Sequence, residues 1–86
     1  MIKVTKFSAT WCGPCKVLAP IFEQVKSAVD GVSFQDVDVD TNSALAIQYK
    51  VRGVPTIVIE KDGQEVKRLV GMQQKPSLTS TINSFK

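Results

Sequence analysis

IKVTKFSATWCGPCKVLAPIFEQVKSAV, running from Ile2 to Val29, changes its hydrophobic period partway along. The first seven residues, IKVTKFS, alternate β-formers with polar residues and predict a strand over 2–8. Further on, Leu18, Ile21, Phe22, Val25, Ala28 and Val29 recur at spacings of three and four, the stripe of an amphipathic helix. Pro14 stands where a first-turn proline is tolerated, because the amide it lacks would find no partner there. Gly31 stands where a helix commonly stops, and Pro20 is expected to bend this one without ending it.

Outward from this stretch the alternation resumes. VSFQDVDV at 32–39 predicts a second strand. Thr41 or Asn42 can cap a short helix that carries Leu45, Ile47 and Tyr49 and is closed by Gly53. TIVIE at 56–60 and EVKRLV at 65–70 read as two strands joined through KDGQ, whose Asp62-Gly63 pair signals a hairpin. A last helix opens near Pro76 with Leu78, Thr81, Ile82 and Phe85 on one face. Its serines and threonines give it little intrinsic helicity, so packing must hold it. The order is β-α-β-α-β-β-α. A right-handed crossover makes the first two strands parallel and the hairpin adds two antiparallel ones, so an α/β fold is predicted, with a four-stranded mixed sheet and helices on both faces.

The 86 residues make one domain, 1–86, with 43% hydrophobic and 22% charged residues, the balance of an ordinary globular chain. The net charge of +3 comes from 11 basic and 8 acidic residues scattered without a block of one sign, so a solvated basic surface is expected and no nucleic-acid site. No apolar run approaches the roughly 20 residues that cross a bilayer. Lys3 and Lys6 interrupt the N-terminal stretch, which therefore lacks the apolar core of a secretory leader, and a cytoplasmic product is expected.

Both cysteines of the chain lie within WCGPCK, at Cys12 and Cys15. A zinc site wants four ligands, and the chain has two cysteines and no histidine. A structural disulfide between positions so close would close a tiny loop, and in a cytoplasmic protein it would tend to be reduced. Redox chemistry is favoured, with a metal clip and a structural staple as the alternatives. If a helix starts just after Cys12, that sulfur meets unpaired backbone N–H groups and the positive end of the helix dipole, which favour a thiolate. Cys12 is then the nucleophile. Cys15, about one turn further on, is close enough to attack a mixed disulfide on Cys12. Pro14 stiffens the turn between the sulfurs, and Gly13 leaves space beside the reacting one.

WCGPCK, the helix proline of LAPIF, the DVDT segment, RGVPT, and KDG followed by VG together resemble the thioredoxin family, in order from about Val4 to Gly71. The strand and helix that usually precede IKVTKFS in that family are missing, so the resemblance implies a minimal thioredoxin-like fold, close in size to a glutaredoxin. It implies that Pro55 is a cis-proline opposite the cysteines and that the backbone of Val54 pairs with an extended substrate strand. Trp11, Gly13, Pro14, Val39, Val54, Val70, Gly71 and Met72 match the rim of the family's apolar docking surface, although Val39 and Val70 read equally well as core valines, Met72 equally well as a gap filler, and Gly71 also as a strand-end glycine. The implied activity is a thioredoxin-type reduction of disulfide-containing proteins by a monomer without bound cofactor or metal. Electrons would come from a thioredoxin reductase-like donor. A glutathione-dependent, glutaredoxin-like reductase is one alternative, suggested by the short chain; VGMQQK after the last strand lacks the paired glycines and acidic residue of a glutathione site. A non-catalytic binding subunit is the other, since an apolar rim serves docking as well as catalysis.

One pair departs from the family. Thioredoxins usually carry a buried aspartate, thought to assist proton transfer at the resolving cysteine, where this sequence has Lys6. They often carry a lysine where it has Asp36. Lys6 shares a strand face with Val4 and Asp36 with Phe34, so on adjacent parallel strands the two can meet beneath the dithiol helix as candidate catalytic residues. The alternative is a Lys6 that runs its ammonium out to solvent.

Overall fold

The structure is a computed structural model that describes residues 1–86. Strand β1 (Ile2–Ser8) is an inner strand, parallel to β2 (Val32–Asp38) and antiparallel to β3 (Thr56–Lys61), while β4 (Gln64–Val70) pairs antiparallel with β3. The sheet order is β2-β1-β3-β4. Helices α1 (Gly13–Ala28), α2 (Ser43–Gln48) and α3 (Lys75–Asn83) complete the predicted element order. No helix is long and apolar enough to cross a membrane.

Both faces of the sheet are covered. On one, Ile2 and Val4 of β1 and Ile57 and Ile59 of β3 pack against Leu18, Phe22 and Val25 of α1 and Leu78 and Ile82 of α3 in a single buried cluster. On the other, Phe7, Val37 and Val58 form a smaller cluster with Leu45, Tyr49 and Val51 around α2. Successive side chains of a strand point to opposite faces, so β1, which serves both clusters, is buried nearly throughout.

Helix α1 runs for 16 residues and, as expected, does not end at Pro20. Ala28 is exposed and so falls off the expected stripe, while Val29 is buried as the extended C-cap residue ahead of Gly31, which takes φ +74°. The hairpin matches the sequence expectation: Asp62 and Gly63 both have positive φ, at 53° and 84°, as a two-residue primed turn requires. In α3, Leu78 and Ile82 are buried, and the hydroxyls of Ser77 and Thr81 donate to the carbonyls of Gln74 and Ser77 at 3.1 and 2.8 Å.

Helix α2 departs most from expectation. It ends at Gln48, and Lys50, with φ +56°, turns the chain in place of Gly53. Ile47 is exposed and Ala46 is the buried residue of the helix. The cause lies across the sheet: the Arg68 guanidinium on β4 donates to the carbonyls of Tyr49 at 2.6 Å and Lys50 at 3.4 Å, taking up acceptors that a helix end leaves without partners. Arg68 is itself held by Glu65 through two bonds of 2.9 and 2.8 Å. That hydrogen bonding is the main cause that holds the Glu65 carboxyl below its usual range. At the other end Asn42 is the N-cap residue but its side chain makes no capping bond. Asp38 braces the turn instead, accepting from the N–H groups of Asp40 at 2.8 Å and Thr41 at 3.3 Å.

Candidate active site

The chain leaves β1 at Ser8, turns through Ala9 to Trp11 and enters α1 at Gly13. Cys12 is the N-cap: its backbone is extended, and its Sγ accepts the Cys15 N–H at 3.2 Å, in the role that a hydroxyl or carboxylate oxygen plays at most helix starts. Pro14 occupies the first turn, where its missing N–H costs nothing. Cys12 and Cys15 are joined as a disulfide with 5.3 Å between their Cα atoms. They form an apolar nest with Ala9, against which Val39 and Val54 pack. Gly13 is exposed, and a Cβ built there meets nothing within 4 Å, so the approach to the sulfurs is open on that side.

The Val54–Pro55 peptide is cis and lies against this nest, with the Val54 carbonyl oxygen 3.8 Å from Cys12 Sγ. Two bonds hold the segment in place. The Gly71 N–H donates to the Pro55 carbonyl at 2.9 Å, and the Thr56 hydroxyl to the Gly53 carbonyl at 2.6 Å. The Val54 N–H makes no hydrogen bond within the chain, which leaves a donor beside the disulfide for an extended partner.

Of the expected rim residues, Trp11, Val39 and Val54 line a shared cavity of about 120 Å³ together with Val51, Arg52 and Gly53. Gly71 joins the site through Pro55, and Val70 and Met72 stand exposed on either side of it. Val39 is half-buried and packs against both the α2 cluster and the cysteine nest, so it bridges core and rim, whereas Val70 is exposed. Trp11 is 70% exposed, and its indole Nε1 donates to Asp40 Oδ2 at 2.9 Å. Sequence reasoning missed that bond, although Asp40 lies within the DVDT segment already singled out.

Lys6 and Asp36 are register partners on β1 and β2. Lys6 Nζ lies 2.9 Å from Asp36 Oδ1 and 5.0 Å from the centroid of the Phe22 ring. The lysine side chain is 7% exposed and the aspartate 48%, so the ammonium does not run out to solvent; the carboxylate reaches in to it. Lys6, Ser8, Cys15, Lys16 and Asp38 line a cavity of about 190 Å³ behind the dithiol.

A mixed α/β sheet that sets two cysteines at a helix start, against a cis X-Pro segment with a free backbone donor, defines a dithiol exchange protein. The thioredoxin family model matches residues 2–84. Thioredoxin from Staphylococcus epidermidis is 40% identical over 83 residues, covering 95% of this chain and 80% of that protein. Thioredoxin from Chlamydia caviae is 46% identical over 77 residues, covering 90% and 76%. Among solved structures, a point mutant of thioredoxin from Halobacterium salinarum superposes with a TM-score of 0.92 at 42% identity, covering 98% of this chain and 74% of that one. Thioredoxin from Fasciola hepatica gives 0.92 at 41%, covering 99% and 81%. The chain belongs to the thioredoxin family, and its activity is thiol–disulfide exchange through Cys12 and Cys15.

Proposed function

We propose that this chain reduces disulfides of other proteins in the cytoplasm as a monomer, with Cys12 attacking, Cys15 resolving, and a thioredoxin reductase-like partner returning electrons. The observation that carries the division of roles is the Cys15 N–H aimed at Cys12 Sγ from the first turn of α1. A thiolate gains from that donor and from the helix dipole, and Cys12 is the sulfur placed to receive both. Its thiolate attacks one sulfur of the substrate disulfide, whose S–S bond breaks as the mixed disulfide forms. The other substrate sulfur leaves as a thiolate and is protonated. Cys15 then gives up its proton and attacks Cys12 Sγ, and the substrate sulfur bound to Cys12 leaves as a thiolate and is protonated in turn. Two electrons have passed from the dithiol to the substrate. The thiols account for all of them, so no bound cofactor or metal enters the exchange. The substrate lies across Trp11, Gly13, Pro14, Gly71 and Met72, with its backbone on Val54 beside Pro55.

Insulin reduction with dithiothreitol as donor tests the reading. The parent protein is expected to turn over, Cys12→Ser to lose activity, and Cys15→Ser to accumulate a mixed disulfide with the substrate. A Cys12→Ser protein as active as the parent would overturn the roles. Turnover that depends on glutathione, with none from a thioredoxin reductase, would overturn the donor.

A further inference from the structure

Lys6 is the one charged residue buried in the molecule, at 5% exposure. Its neighbours do not ask for a charge: Val4 and Phe22 lie on the same side of β1, and Ile57 is its register partner on β3. An apolar residue of similar length would fill this place without the desolvation that an ammonium carries, so packing alone does not account for it. Asp36 holds the ammonium at 2.9 Å and fixes where the charge sits. What it faces, besides the Phe22 ring, is the cavity whose wall includes Cys15.

We propose that Lys6 is a positioning residue for the second half of the exchange: its buried ammonium, anchored by Asp36, supplies the field in which Cys15 ionises and attacks the mixed disulfide. This rests on the division of roles proposed above. The charged groups around the cavity are Lys6 from β1, Lys16 from α1, and Asp38 with the anchoring Asp36 from β2, while β3 brings Ile57. Asp38 turns Oδ1 to the N–H groups of Asp40 and Thr41, and Lys16 is exposed, where solvent screens it. The field of Lys6 is the least screened. In the step it serves, the Cys15 thiol gives its proton to solvent through the cavity and the thiolate attacks Cys12 Sγ. The Cys12–Cys15 bond forms as the bond from Cys12 to the substrate breaks. The electron pair leaves on the substrate sulfur, which is then protonated.

Single-turnover stopped flow with the reduced protein and a disulfide substrate separates the attack phase from the release phase. Lys6→Met is expected to slow release about tenfold at neutral pH, the effect of losing a nearby opposite charge, and to move the pH midpoint of that phase upward. The attack phase should change far less. Lys6→Arg, which keeps the charge, should recover most of the release rate. Asp36→Asn takes away the neutralising partner and should move the release midpoint downward. These opposite shifts separate a field from a structural role, since a loosened fold would move both variants the same way. Unchanged release in Lys6→Met, or midpoints that move together, would overturn the proposal. Should Lys6→Met not fold, Asp36→Asn decides alone: a downward shift supports the proposal, and no shift or an upward one overturns it. An attack phase missing from the parent protein would instead overturn the dithiol roles, and this proposal with them.

Discussion

Cys12 and Cys15 are equally hidden, at 5% and 4% exposure, so burial cannot make one sulfur more reactive than the other. The distinction is positional: Cys12 is the cap and receives a helix amide, whereas Cys15 supplies it. With the reduced protein near neutral pH, a limiting thiol reagent should modify Cys12 well before Cys15, as peptide mapping would show; equal labelling would contradict the helix-start argument. The half-exposed carboxylate of Asp36 sets the size of another effect. Because water reaches one side of the pair, Asp36→Ala should cost about 1 to 3 kcal/mol, between an exposed ion pair and a fully buried one, read from urea denaturation. Tyr49, the only tyrosine, has its phenol pushed above the ordinary value of 10.0, first by burial, then by its 3.0 Å bond to Glu60, then by the charges of Glu60 and Glu65. The fold therefore favours the neutral phenol, and this contribution to stability is full below the unfolded value and is lost as pH rises through the folded one. Absorbance titration of the folded protein should give a midpoint above 10.0, and Glu60→Gln should lower it.

At the scale of elements, the reversal after α2 depends on a residue 18 to 19 positions further along the chain. Arg68→Ala removes two bonds to carbonyls and two to Glu65, and should cost about 1 to 2 kcal/mol. It should also loosen the stretch from Val51 to Val54 and raise KM for a protein disulfide. Glu65 adds a pH signature. Its folded carboxyl is held below the unfolded value by Arg68, so its contribution is present above the unfolded value and is lost as pH falls through the folded one. Arg68→Ala should accordingly lose less stability than the parent on acidification. This latch also marks where the sequence stops being legible. The strand and helix of Ile2–Val29, the Asp62-Gly63 turn and the cap at Cys12 are local, set by period and by residues within a turn of one another, and all could be read. The end of α2 could not, because Gly53 is the local stop signal and the actual one comes from Arg68 on another strand. Lys6 and Asp36 were legible as partners, since Lys6 shares a strand face with Val4 and Asp36 with Phe34 on adjacent parallel strands. The unequal burial of the pair was not, because it depends on β2 lying at the sheet edge.

On the scale of the whole molecule, the large core cluster joins α1 and α3 to the same face of the sheet, while the dithiol nest is a separate small cluster at the end of β1. Leu78→Ala would open a cavity in the large cluster and should cost about 2 to 5 kcal/mol in chemical denaturation. Dithiol exchange by molecules that stay folded should hardly change. The hydroxyl bonds of α3 have a different consequence, in the order in which the molecule opens. A helix of low intrinsic propensity, held by two buried side chains and by local bonds from Ser77, Thr81 and Ser84, has little to keep it formed once undocked. β1 is paired on both sides and covered on both faces. Under native conditions the amide protons of Leu78 to Asn83 should therefore exchange with solvent deuterium well ahead of those of Val4 to Phe7. The C-terminal helix would come away as one unit, leaving Cys12, Cys15 and Pro55 seated on a sheet that has not moved.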